Sequence, residues 1–134
     1  MYRITMIALL LGLAGSAAAK PEKSVVQMDR QSPVAEQVLR SYDFDQLFIG
    51  ADGIDLARGT TTFNELLGLS RVMAEVAREV VVMVESDKIG RKIPNLELPW
   101  SGIHTLITDE RLSPEAREQL TERGIKLICA AVEA

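Results

Sequence analysis

The segment "EVVVMVE", residues 79–85, constrains this chain more than any other. Val80, Val81, Val82, Met83 and Val84 leave the segment without a polar face. A strand with this composition has to be buried on both sides, and that is the environment of a parallel sheet covered by helices. Two other apolar runs fit the same sheet. "DQLFIGA" is bounded by Asp45 and Gly50, and "IHTLITD" ends in an acidic turn. "IKLICAAV" supplies a last strand. Between them the period becomes helical. Leu66, Leu69, Val72, Met73 and Val76 recur at three- and four-residue steps, predicting a helix from Thr62 to Ala77, with Thr62 and Glu65 as a capping box. "SPEAREQLTERG" is a second helix, with Ser113 as cap, Pro114 at the first position and Gly124 as stop. A shorter one is expected in "SPVAEQVLRSY", capped by Ser32, opened by Pro33 and carrying Val34, Val38 and Leu39 on one face. Alternating strands and helices make the class α/β, with a largely parallel sheet and flanking helices.

The chain has 134 residues, enough for one domain or part of one. Its net charge of −4 argues against a free-standing DNA-binding module, which would show a basic face. The single cysteine, Cys129, excludes an intramolecular disulfide and a cysteine-cluster metal site, and inside "IKLICA" it reads as a small buried hydrophobe. The first twenty residues carry two readings. Arg3, the apolar run Ile4 to Leu13 and the small residues Ala17 and Ala19 fit a secretory signal peptide, too short to span a membrane. The same letters, "ITMIALLLG", fit a buried strand. The stretch "KPEKSVVQMDRQS" that follows reads as a polar connector, so the organisation is residues 1–31 as leader or degenerate strand plus connector, and residues 32–134 as the domain proper.

Candidate chemistry is sparse. His104 is the only histidine, with no cysteine nearby and no second histidine at helical spacing, so neither a zinc site nor a nucleophile–base pair is indicated. The carboxylate pairs Asp52/Asp55 and Asp109/Glu110 are of a kind common in turns and caps. A phosphate site has more behind it. Residues 50–62 follow a strand and are expected to lead into a helix N-terminus, where ligands of open α/β sheets gather. Gly50, Gly53 and Gly59 allow close backbone approach, and Thr60, Thr61 and Thr62 bring hydroxyls. "ESDKIGRK" follows a second buried strand at the same end, and Lys88 could meet a phosphate there. Each of these signals alone fits an ordinary structural loop equally well.

Together, "FDQLFIGADGID…GTTTFNE…AREVVVMVESDKIGRKIPN…IHTLITDERL…LTERGIKLI" resembles the C-terminal sensor domain of the DeoR family of bacterial sugar-operon repressors, over about residues 34–131, and within it the glucitol (sorbitol) operon branch. The resemblance implies a fold related to ribose-5-phosphate isomerase and the CoA transferases. It also implies a phosphorylated sugar or polyol as effector, with glucitol 6-phosphate the first candidate, and a cytoplasmic homo-oligomer without cofactor, metal or membrane attachment. By this likeness Gly50, Asp52, Gly53, Thr60, Thr61 and Thr62 line the sugar, Glu65 lies beneath it, and Lys88 holds the phosphate.

The same resemblance argues against catalysis. Related deaminases carry a histidine in this loop, and Ile54 stands at that position here. Three departures concern the lysine segment. Glu85 replaces the usual Asp, Asp87 adds a carboxylate beside Lys88, and Ile89 replaces a Phe. The resemblance also implies that the sequence starts partway through the sensor domain, with no helix-turn-helix and no direct grip on nucleic acid. That view favours the strand reading of residues 4–12, export being the alternative.

Overall fold

The computed structural model describes residues 8–14, 22–28, 35–64 and 67–133, with side chains from residue 36 onward. A six-stranded sheet runs through the chain in the order β2-β1-β3-β6-β8-β9. Four of these strands are parallel neighbours: β3 (Phe44–Ile49), β6 (Ala77–Met83), β8 (Thr105–Asp109) and β9 (Lys126–Ala130). β1 (Ala8–Ala14) lies antiparallel to β3, and β2 (Glu22–Met28) antiparallel to β1. The α/β class with a largely parallel sheet therefore holds. Most of "EVVVMVE" lies in β6, in the interior of the sheet with partners on both sides; Val80, Val81 and Val82 are buried as expected, whereas Met83 is 43% exposed.

Register explains the core. Leu47 pairs with Val80, Ile49 with Val82, Val82 with Leu106 and Leu106 with Leu127. The first five of these side chains are at most 1% exposed. Burying each stabilises by about 1.5–3 kcal/mol over the exposed state. Three helices complete this core: α1 (Ala35–Leu39), α2 (Gly68–Glu75) and α3 (Pro114–Glu122). Leu69, Val72 and Met73 of α2 and Ala116 and Leu120 of α3 join it. Ser113 caps α3 as expected, its Oγ accepting from the Ala116 N–H at 3.2 Å, and Gly124 leaves the helix at φ 77°.

Several expectations are corrected. "KPEKSVVQMDRQS" is not simply a connector, because residues 22–28 form β2 and zip onto β1 residue for residue. The apolar start contains a strand, β1, although the cleavage residues Ala17 and Ala19 lie outside the described residues, as do Ser32, Pro33 and Val34. The capping box at Thr62 does not form. Thr62 belongs to a strand, and α2 starts at Gly68 behind Leu67, which makes no side-chain cap bond. Three consecutive β-branched threonines favour extended backbone over a helical turn. A strand for which the sequence offers no apolar run, β7 (Asn95–Pro99), forms between β6 and β8. Cys129 is half-buried rather than fully buried, because β9 is an edge strand.

The largest difference is a second sheet. β4 (Gly53–Asp55) and β5 (Gly59–Thr62) form an antiparallel hairpin, and β7 adds to β5 in the order β4-β5-β7. What reads in sequence as a strand-to-helix loop is this hairpin.

Candidate functional site

The hairpin is built by close packing. Every residue of β4 and β5 is buried. A Cβ on Gly53 would stand 2.8 Å from Thr61 Oγ1 and 2.9 Å from the Arg91 carbonyl oxygen. Gly59 has φ 138°, and a Cβ there would collide with the Leu98 carbonyl oxygen. Both glycines are therefore required by the hairpin itself. Its tip, residues 56–58, is tied down by side chains. Asp55, 4% exposed, accepts from Arg58 Nε at 2.7 Å and from the Ala57 N–H at 2.9 Å. The bond from Arg58 holds the Asp55 carboxyl below its ordinary pKa of 3.8, against the opposing effect of burial. The same guanidinium donates to the carbonyls of Ile93 and Pro94. Trp100 closes the other side, its indole N–H donating to the Leu56 carbonyl at 3.1 Å.

The hairpin sits at the carboxyl ends of the parallel strands. Gly50, Ala51 and Asp52 leave β3, and Val84 to Lys88 leave its neighbour β6, the last three residues as a single 3-10 turn (Ser86–Lys88). The two exits run side by side. Ile54 bridges to Ile89 in parallel, and the Gly90 N–H donates to the Ile54 carbonyl at 2.8 Å. The third parallel strand, β8, secures the turn: Asp109 at its end accepts from the Ser86 N–H at 2.8 Å and the Ser86 Oγ at 2.7 Å. These bonds, the backbone one first, hold the Asp109 carboxyl below its ordinary pKa.

The predicted residues divide into two groups. Gly50 and Asp52, on the exit from β3, and Lys88, on the exit from β6, lie at this same end of the sheet, each half-buried. Asp52 is fixed by the Thr62 hydroxyl, which donates to its Oδ2 at 2.6 Å, while Thr62 Oγ1 in turn accepts from the Asn64 N–H at 3.1 Å. The Lys88 ammonium has no hydrogen bond or ion pair among the described residues. Thr60 and Thr61 belong to the second group. Thr60 Oγ1 accepts from the Leu98 N–H at 2.9 Å, and Thr61 donates to the Arg91 carbonyl at 3.3 Å, so both hydroxyls bind the sheet's own backbone. Gly53 joins them for the packing reason above. Glu65 lies outside the described residues.

Ile54 is fully buried on β4, so the position of a loop histidine in related enzymes here faces packing atoms. His104 is structural: its Nδ1 accepts from the Val80 N–H at 2.9 Å. No group of three or more potential metal ligands is found among the described residues. Nor is any helix among them long and apolar enough to cross a membrane. Sequence reasoning missed Ser86 and Asp109 as a clamp on the lysine turn. Both terminate strand runs at the same end of the sheet, which is the signal that could have paired them. It also missed Phe63, which stands 69% exposed beside Asp52, its N–H pointing to Asp52 Oδ2 at 3.4 Å.

The family model "DeoR C terminal sensor domain" matches residues 14–110. A protein of Escherichia coli O157:H7 named as an aga operon transcriptional repressor is 39% identical over 95 residues, covering 70% of this chain and 35% of that protein. The HTH-type transcriptional regulator GlpR of Haloferax volcanii is 29% identical over 117 residues, covering 87% of this chain and 44% of the relative. The uncharacterized HTH-type transcriptional regulator YgbI of Escherichia coli K12 is 28% identical over 119 residues, 89% of this chain and 45% of that protein. The chain thus spans less than half the length of these relatives. Each relative is named for regulating transcription, and the matched module is named for sensing. The chain belongs to the DeoR C-terminal sensor domain family, a regulatory rather than a catalytic module.

Proposed function

We propose that this chain senses a phosphorylated sugar or polyol at the edge formed by Gly50, Asp52 and Lys88. One observation carries the reading. The exits of two adjacent parallel strands run side by side, with a half-buried lysine whose ammonium has no partner among the described residues. An unpaired cation at the carboxyl ends of parallel strands suits a phosphate. Asp52, oriented by Thr62, would accept hydroxyl hydrogens from the sugar, and Phe63 offers an apolar cover for its carbon face. Thr60, Thr61 and Gly53 act one layer back, holding the hairpin that presents Asp52. Glu65 stays in the proposal on the family resemblance alone. Asp87 beside Lys88 weakens the local positive field and favours a ligand with hydroxyls over bare phosphate.

One relative is named as the repressor of an operon, aga, which supports a regulatory role for the sensed ligand, and the resemblance to the glucitol branch makes glucitol 6-phosphate the first ligand to try. In a whole regulator the effector would act on DNA binding from a cytoplasmic sensor, with this acidic chain making no nucleic-acid contact itself. Isothermal titration tests the site. Glucitol 6-phosphate should bind, glucitol and inorganic phosphate should bind at least tenfold more weakly, and Lys88→Ala should abolish the difference. Absence of heat with every phosphosugar, from a folded sample, would sink the proposal.

A further inference from the structure

We propose that β9 is a dimerisation edge, pairing antiparallel with β9 of a second copy of this chain about a two-fold axis at Ile128. This goes beyond the sensing role and does not depend on it. β9 is the last strand of the six-stranded sheet, bonded to β8 alone among the described residues. The bonds to β8 fix which of its groups are left. The Lys126 N–H donates to the His104 carbonyl at 3.1 Å, and the Ala130 carbonyl accepts from the Glu110 N–H at 3.0 Å. In a parallel ladder alternate residues of a strand serve one neighbour. Lys126, Ile128 and Ala130 therefore face β8, and Leu127 and Cys129 turn their main-chain N–H and C=O outward.

Protein edges are normally blunted by proline, bulges or charge. This one has no proline, pairs with β8 without a register shift, and carries a single charge, Lys126. Both faces carry apolar side chains: Leu127 and Cys129 are half-buried towards the core, and Ile128 is 41% exposed on the opposite side, between Lys126 and Ala130.

A two-fold axis makes identical edges meet antiparallel. Centred on Ile128, it sets Leu127 opposite Cys129 of the second copy and Cys129 opposite its Leu127. All four residues then have outward main-chain groups, and both pairs are of the hydrogen-bonded kind, four bonds in all. Ile128 meets Ile128 across the axis, and Lys126 meets Ala130, so no like charges oppose. Sliding by two residues in either direction sets Ile128 against Ala130 or against Lys126. The centred register alone pairs the exposed isoleucine with itself. The six strands of each copy would then form one continuous sheet.

Cross-linking and mass measurement on the full chain test this. In a Cys129→Ser background, Ile128→Cys places two sulfur-bearing residues in a non-hydrogen-bonded antiparallel pair, with Cα atoms about 4.5 Å apart, inside disulfide range. Lys126→Cys leaves its equivalents about 13 Å apart along the strands. Mild oxidation should give a covalent dimer for the first and none for the second. Light scattering of the unaltered chain should show a dimer at high concentration. Leu127→Pro removes an outward N–H and leaves the β8 ladder intact, so dimerisation should weaken about tenfold or more with unchanged circular dichroism. A monomeric mass for the unaltered chain, equal cross-linking at 126 and 128, or an undiminished dimer in folded Leu127→Pro would each overturn the proposal.

Discussion

The two sheets of this molecule are held together by different means. The six-stranded sheet is stabilised by the apolar register of Leu47, Val80, Val82 and Leu106, repeated across neighbouring strands and closed by three helices. The three-stranded sheet has strands of three to five residues, and polar side chains do much of the work: Asp55 to Arg58, Thr60 to Leu98, Thr61 to Arg91, Trp100 to Leu56. The first is a scaffold in which a large loss of side-chain volume is costly. The second is a clasp whose bonds can be released one at a time. Asp52, the residue proposed to meet the ligand, belongs to the second kind: Thr62 of β5 fixes its carboxylate, while Ile54, Leu98 and Trp100 anchor the clasp in the core.

That contrast can be broken at its strong end first. Leu106→Ala, in the fully buried row, should cost about 2–5 kcal/mol. It should lower the unfolding midpoint seen by far-UV circular dichroism and by Trp100 emission together, since the clasp has nothing to rest on once the scaffold goes. Separated transitions would show that the small sheet stands alone.

Next comes the clasp. Arg58→Ala leaves the buried Asp55 carboxylate without its guanidinium and should cost about 1–3 kcal/mol. Trp100 emission should shift more than circular dichroism. Acid should mimic this change. The Asp55 pKa lies below its ordinary 3.8, so its contribution is complete above that value and is lost as pH falls through the lowered folded pKa. Trp100 emission in the unaltered protein should therefore loosen only below about pH 4, whereas Arg58→Ala, which keeps only the backbone N–H bonds to Asp55, should show a smaller acid step.

The smallest effect should come from Ser113→Ala. It removes the α3 cap and should cost about 1 kcal/mol while leaving Trp100 emission untouched, because the cap touches only the scaffold side. A change in the indole signal would mean that helix and clasp are coupled.

The difference between the sheets also decides what could be read from the letters. "EVVVMVE" declares a strand because its apolar, β-branched run is continuous, and "SPEAREQLTERG" declares a helix because its cap, first proline and closing glycine are local signals, all realised. The small sheet has no such statement. β7, "NLELP", holds a charged Glu97 that is buried and a proline, and its extended form depends on β5 more than thirty residues away. Thr62 looks like the start of a helix only if the partner strand is unknown. For the proposed site, Gly50, Asp52 and Lys88 could be placed at one end of the sheet because they follow the ends of two apolar strand runs within a few residues. Thr60 and Thr61 drew notice as hydroxyls for a ligand, while their partners turned out to be backbone atoms of distant segments, which no local pattern encodes. β2 was missed because "EKSVVQM" is half polar and gains its place from the zipper with β1.

Gly53 and Gly59 give the clasp a hereditary property as well as a shape. Any missense change of a glycine codon adds at least one carbon, and at these two positions that carbon lands on the Arg91 and Leu98 carbonyl oxygens rather than in open space. The scaffold can drift among valine, isoleucine and leucine by small steps, each leaving a packed row. The hairpin that presents Asp52 has no neighbouring alternatives at positions 53 and 59, so its form has to be inherited whole.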